Sequence, residues 1–457
     1  MKNQKQLLFV IAMGLIASIA SCKKFVDIDP PKTQAVSENV FAADPSATAA
    51  TVGVYNQMVT YNLTYLNGAI TVFAGLSADE ISNVNPNPSY DVFRTNALLA
   101  DNDDVETKFW TAAYKYIYQT NSVMEGIKNS TGMSVALKNQ LRGEMLFTRA
   151  LNYYYLVSLF GDVPLLLTAD YTVNGSAPRT STEKIFQQLS ADLVEAKQLL
   201  ADSYGSASNL RPNEMAAAAL LARIYLSQKD WTNAEAAATT VISSGNYRLE
   251  ADVNKVFLNT SAETIFQLGR PSSNTSEGMT FNPLTSSSKP SFMLTASLLN
   301  AFQPGDSRRT SWVNKSVANG ITYYYPYKYK IRNSTTVTEN EVVLRLGEIY
   351  LDRAEAAAQQ NKLAEALADL NKIRNRAGLG TSPAIRQSDL LQAIKQERQV
   401  ELFTEWGSRW LDLKRTGTID ITLSVLKGDS WQPSDALYPI PLAEIKLNPF
   451  LTQNPGY

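Results

Sequence analysis

"NEMAAAALLARIYLSQKDWTNAEAAATTVISSGNY", residues 213–247, and "RLGEIYLDRAEAAAQQNKLAEALADLNKIRNRAG", residues 345–378, are built alike. In each, a small residue (Ala222, Ala354) is followed 12 positions later by another (Ala234, Ala366). Small side chains at that interval let two antiparallel helices approach closely, as in stacked helix-pair repeats. The spacing therefore predicts helix pairs over 213–245 and 345–377.

Neighbouring segments extend the helical pattern. In "VETKFWTAAYKYIYQTNSVMEGI", Trp110, Tyr114, Ile117, Asn121 and Met124 fall three or four apart and share one helical face. Asn121 is the polar member of that face and is expected to hold a loop from a buried position. A second helix should end at Phe160, where Gly161 permits a left-handed stop and Pro164 blocks continuation. A third begins after Thr180 or Ser181, either of which can cap it. Other stretches differ in character. Residues 81–96, "ISNVNPNPSYDVFRTN", are rich in Asn and Pro, and 271–291 in Ser and Thr. "ITYYYPYKYKIRN", 321–333, reads as a hairpin arm interrupted at Pro326. Long ordered loops in a compact protein usually form a functional surface. The fold class is thus mainly α, with tetratricopeptide-like helix pairs and an irregular, loop-rich half carrying short strands.

The composition excludes several chemistries. The 457 residues contain no histidine and one cysteine, Cys22. Ser-His-Asp and Cys-His hydrolysis and histidine-ligated metal sites are therefore out of reach. Asp101, Asp103 and Asp104 could suggest an oxygen-ligand metal, but acids just before a helix favour its N-terminus, and capping is the expected role. No phosphate loop or EF-hand spacing occurs, and no paired acid and base stand out for glycoside cleavage. No cofactor, no metal and no catalysis are expected.

The N-terminus fixes a location. Lys2 and Lys5 precede the 14-residue apolar run Leu7–Ala20, too short to cross a bilayer as a mature helix, where about 20 residues are needed. This is the layout of a secretory signal peptide over residues 1–21. "Ile19-Ala20-Ser21-Cys22" is similar to a bacterial lipobox, which implies cleavage before Cys22 and its acylation. Removing residues 1–21 takes away Lys2 and Lys5 and moves the formal charge from −1 to −3. No basic excess points to nucleic acid.

Five motifs then occur in a family's order: the lipobox; "LRGEMLFTRALNYYYLVSLFGDVPLL"; "VVLRLGEIYLDRAEA" with "DLNKIRNRAG"; "IKQERQVELFTEWGSRWLDLKRTG"; and "YPIP" with the closing "QNPGY". Together they resemble the SusD/RagB family of Bacteroidetes nutrient-uptake lipoproteins across essentially the whole chain. Ser408 departs from the histidine many members carry, and "KKFVDID" after Cys22 lacks the tight acidic cluster that marks surface export in some of these bacteria. The resemblance implies one domain over 22–457, with about four helix pairs and ligand-facing loops near 81–96 and 271–333. It also implies a non-catalytic lipoprotein, anchored in the outer membrane through Cys22 and facing the cell exterior. Such a protein captures oligosaccharides, or in some members peptides, for a SusC-like TonB-dependent transporter barrel. A helical-repeat adaptor that binds only protein is the alternative from a different class.

A sugar site needs flat aromatic faces plus Asn, Asp and Arg to pair hydroxyls. The 81–96 stretch supplies Asn83, Asn87, Tyr90, Asp91, Phe93 and Arg94, and the family's ligand loop falls there. The competing role is that Tyr90 and Phe93 tuck into the body while the asparagines make turns. Tyr65, Trp312 and Tyr323 complete the candidates, each with packing as the rival role. Arg308 and "ERQVELFTEWGSRWLDLKR" are expected to form an internal ion-pair and Trp-packing network.

Overall fold

The computed structural model describes residues 37–204 and 209–457; the signal segment 1–21 and Cys22 lie outside the described residues. After a helical turn at Ser37–Val40 come α1 (Asp44–Met58), α2 (Ala69–Ser77), β1 (Ile81–Asn83) and α3 (Pro88–Arg94). A π-helical stretch, Val105–Thr111, runs directly into α4 (Ala112–Asn129). Then follow α5 (Val135–Phe160), α6 (Thr182–Leu199), α7 (Glu214–Ser227) and α8 (Trp231–Ser243). The irregular part holds β2 (Thr264–Leu268), β3 (Phe292–Leu294) and the β4 (Val313–Ala318)–β5 (Ile321–Pro326) hairpin. β6 (Glu341–Arg345) leads into α9 (Leu346–Gln359), α10 (Leu363–Arg376) and α11 (Gln387–Glu401). α12 (Ser408–Arg415), α13 (Ile419–Lys427) and α14 (Leu442–Leu447) complete the chain.

Helices α4 to α11 stack in chain order, each against the next, which gives the mainly α architecture of paired helices. Local sequence sets their ends. Ser181 caps α6, Asn213 caps α7 by accepting from Ala216 N at 2.9 Å, and Asp230 caps α8. α5 stops at Gly161, whose φ of 74° suits glycine. Ala222, Ala234, Ala354 and Ala366 are all fully buried, as close helix approach demands. Asn121 holds a loop from a buried position: Nδ2 donates to Leu166 O at 3.0 Å, and Oδ1 accepts from Arg149 at 3.0 Å. At the start of the π-helical stretch that leads into α4 the capping side chain is Asn102, accepting from Val105 N at 2.9 Å, rather than one of the nearby aspartates. Among the described residues no group of carboxylates is arranged to hold a metal, and no helix is long and apolar enough to cross a membrane.

A buried ion network joins the irregular half to the helices. Arg345 donates to Glu401 at 2.6 Å and Glu405 at 2.8 Å; Arg308 donates to Asp306 at 2.8 Å and Glu401 at 2.7 Å. Burial alone would raise the Glu401 carboxyl, yet Arg376, Arg345 and Arg308 hold it well below its ordinary value. Arg398 pairs with Asp412 and Asp352. The network expected in this region is present, with partners set by tertiary contact.

Candidate ligand-binding site

The 81–96 stretch, expected as a loop, is more ordered than its composition suggests. β1 pairs antiparallel with β3, Ile81 opposite Leu294 and Asn83 opposite Phe292. Asn87 then caps α3 by accepting from Ser89 N at 3.0 Å, and Pro88 takes the first helical position, where its missing N–H costs nothing. Phe93 is fully buried, its ring 4.5 Å from Phe73 and 5.6 Å from Tyr438. It anchors α3 and cannot face a ligand, which corrects the expectation for this residue. Tyr90 is half-buried, with its ring 5.7 Å from Phe73 and 5.0 Å from Phe292.

Three further candidates prove to be core. Tyr65 is fully buried and donates to Asn152 O at 2.7 Å. Trp312 is fully buried, Nε1 donates to Val253 O at 2.9 Å, and Lys328 Nζ sits 4.7 Å from its ring. Tyr323 is buried on the inner face of the hairpin opposite Ser316. Strand alternation sends every second side chain inward, so the tyrosine run could not all be exposed. An aromatic residue flanked by polar neighbours in sequence still goes to the core when its element turns it there.

The polar members of the stretch do converge. Asp91 accepts from Asn83 Nδ2 at 3.1 Å, from Asn87 N at 2.9 Å and from Arg94 Nη2 at 3.0 Å. The Asn83 bond, followed by those of Arg94 and Asn87, holds its carboxyl below the ordinary value. Asp91 is therefore the organiser of this corner. Asn83 Oδ1 is buried without a hydrogen-bond partner among the described residues, so the group left over at the surface is Arg94, which uses only Nε and Nη2 on Asp91.

Arg94 borders a cleft of about 430 Å³ between the end of α2, the start of the Ala296–Ala301 helix and the end of α13. Asp79, Ser82, Thr95, Ser297, Lys427 and Ser430 line it beside Arg94. Asp79 is occupied, accepting from Arg409 Nε at 2.7 Å and Ser297 at 2.9 Å. Lys427, with its amine lowered to about 7 by burial, donates to the carbonyls of Leu76 and Ser77 and to Asn96. Three donors on three acceptors leave it nothing for a ligand. The edge free to pair hydroxyls thus consists of the outer guanidinium of Arg94 and the Ser82 and Ser430 hydroxyls. Ser82, Ser297, Lys427 and Ser430 were not singled out from sequence, and no local motif marks them.

Two family models match the chain: one described as "Starch-binding associating with outer membrane" over residues 24–226, the other as "SusD family" over 300–457. The chain belongs to the SusD family. SusD-like protein P25 of Formosa agariphila is 25% identical, the alignment covering all of both chains. Starch-binding protein SusD of Bacteroides thetaiotaomicron is 23% identical over 72% of this chain and 75% of its own. Among solved structures, a SusD superfamily protein from Bacteroides vulgatus superposes with a TM-score of 0.80 at 23% identity, covering 91% of this chain and 99% of that one. A laminarin-binding SusD-like protein gives 0.76 at 23% identity, covering 90% and 99%. The family is thus described as starch-binding and associated with the outer membrane.

Proposed function

We propose that this chain captures oligosaccharides along the Asn83–Arg94 edge and its adjoining cleft, and releases them unaltered to a SusC-like TonB-dependent transporter barrel. In this reading residues 22–457 act as one domain, tethered to the outer membrane by acylated Cys22 and facing the cell exterior. It calls for no cofactor, no metal and no chemical step. The carrying observation is the unpartnered half of Arg94, a charged donor fixed in direction by Asp91 at the mouth of a polar cleft. Charge-assisted bonds from a held guanidinium to ligand oxygens are among the stronger polar contacts a protein can make. The starch-binding description of the matching family model and the laminarin-binding relative support a saccharide as ligand.

Isothermal titration of the chain carrying Cys22→Ser against neutral glucans and against peptides tests the ligand class. Heat with one saccharide class is the expected result; heat with peptides alone would replace the reading by peptide capture, and product formation would overturn the non-catalytic role. Metabolic labelling with a palmitate analogue should mark the wild type and not Cys22→Ser; equal labelling would remove the tether.

A further inference from the structure

A second cavity, of about 500 Å³, lies apart from the Arg94 cleft, between α4, the Tyr171–Asn174 turn and α14. Its size falls in the range of ligand pockets, roughly 300–1,000 Å³. Aromatic side chains dominate it. Trp110 and Tyr114 are 5.0 Å apart at its base, and Tyr118 stands one turn further along α4, about 6 Å at the usual helical rise. Tyr118 is 53% exposed and Tyr171, on the facing turn, 82%. Leu447 of α14, 78% exposed, forms the third side.

The three sides are pinned to one another. Tyr114 donates to Pro164 O at 2.9 Å and Asn121 to Leu166 O at 3.0 Å, fixing the segment after α5 against α4. Asn174 donates to Thr168 O at 2.8 Å and Asn448 to Ala177 O at 2.9 Å, fixing the turn and the end of α14. Exposed rings on such a frame are pre-organised, so a ligand would lose little freedom of the protein on binding.

Polar groups decide the ligand's chemistry. Glu444 lines the cavity beside the Trp110 indole N–H, and burial together with Glu106 pushes its carboxyl above the ordinary value against the pull of that N–H. Lys115 lies on the rim. One acid and one amine balance, which favours a neutral ligand whose hydroxyls can both donate and accept. We infer that this groove is a second carbohydrate site, seating a short stretch of neutral saccharide on Tyr118 and Tyr171, with Glu444 accepting from its hydroxyls. Two seats on one chain would raise the avidity for a long glycan without any new contact at either. The inference goes beyond the Arg94 cleft and does not require it.

The test uses the full-length protein in detergent with a panel of neutral gluco-, galacto-, manno- and xylo-oligosaccharides and a set of short peptides, read by isothermal titration. Wild type should show two binding events on one saccharide class. Tyr118→Ala with Tyr171→Ala, both at exposed positions, should weaken one event at least about tenfold, close to 1.4 kcal/mol, while the other persists. Glu444→Gln should weaken the same event and leave thermal unfolding unchanged. In an Arg94→Ala background the aromatic-groove event should remain; its survival with no effect of Arg94→Ala on the other would count against the cleft alone. Binding identical in wild type and Tyr118→Ala/Tyr171→Ala overturns the second site. Loss confined to a peptide ligand overturns its assignment to saccharide.

Discussion

The helical scaffold and the irregular crown both use arginine, in opposite situations. Arg345, at the base of α9, is fully buried and donates to Glu401 and Glu405 from all three guanidinium nitrogens. Arg94, at the end of α3, is paired on one side by Asp91 and bare on the other, with its side chain 41% exposed. A completely partnered charge fixes a fold, because removing it strands its partners away from water. A half-partnered one is held in direction while keeping capacity for something else. The difference separates structure from function among residues of the same type.

The largest expected effect breaks the scaffold side. Arg345→Met leaves Glu401 and Glu405 short of a cation in the core and should lower stability by about 3–5 kcal/mol. Urea unfolding checks it; a loss below about 1 kcal/mol would mean the network contributes little. Next comes packing between helices. Ala222→Leu forces a larger side chain where α7 meets its neighbours without free space, and should cost about 1–3 kcal/mol in the same assay. Glycan affinity should survive both substitutions in the folded fraction.

A smaller effect depends on pH. Glu80 is buried behind β1, its carboxyl raised by desolvation and by Asp79 to about 8. Its folded value lies above the unfolded one, so its contribution is complete below about 4.5 and is lost as pH rises through 8. Thermal unfolding of wild type should therefore weaken across that window. Glu80→Gln, which mimics the protonated form, should flatten the decline; an unchanged slope would assign it to other groups.

The scaffold was the more legible half. Ala222, Ala234, Ala354 and Ala366 repeat a spacing that only close helices require, and Asn121 stood out as a polar residue on an apolar face. Gly161 and Pro164 marked a stop through backbone chemistry alone. The crown was legible in part: Asn83, Asp91 and Arg94 lie close in sequence and meet through one strand and one short helix. Phe93, Trp312, Tyr65 and Tyr323 were misread because residue type does not reveal which way an element turns a ring. Ser82, Ser297, Lys427 and Ser430 come from three distant stretches, and Tyr118 and Tyr171 from two. Their convergence is created by packing, and one sequence carries no local trace of it.

The most direct measurement compares Arg94→Ala with wild type, titrating the saccharide class that wild type binds and recording thermal unfolding in parallel. The exposed Arg94–Asp91 pair is worth less than about 1 kcal/mol to stability, so the melting curves should nearly coincide. Binding at the crown should weaken by at least about tenfold, as expected for a lost charge-assisted bond. Equal affinities with equal melting curves would show that the bare edge of Arg94 faces water and nothing else.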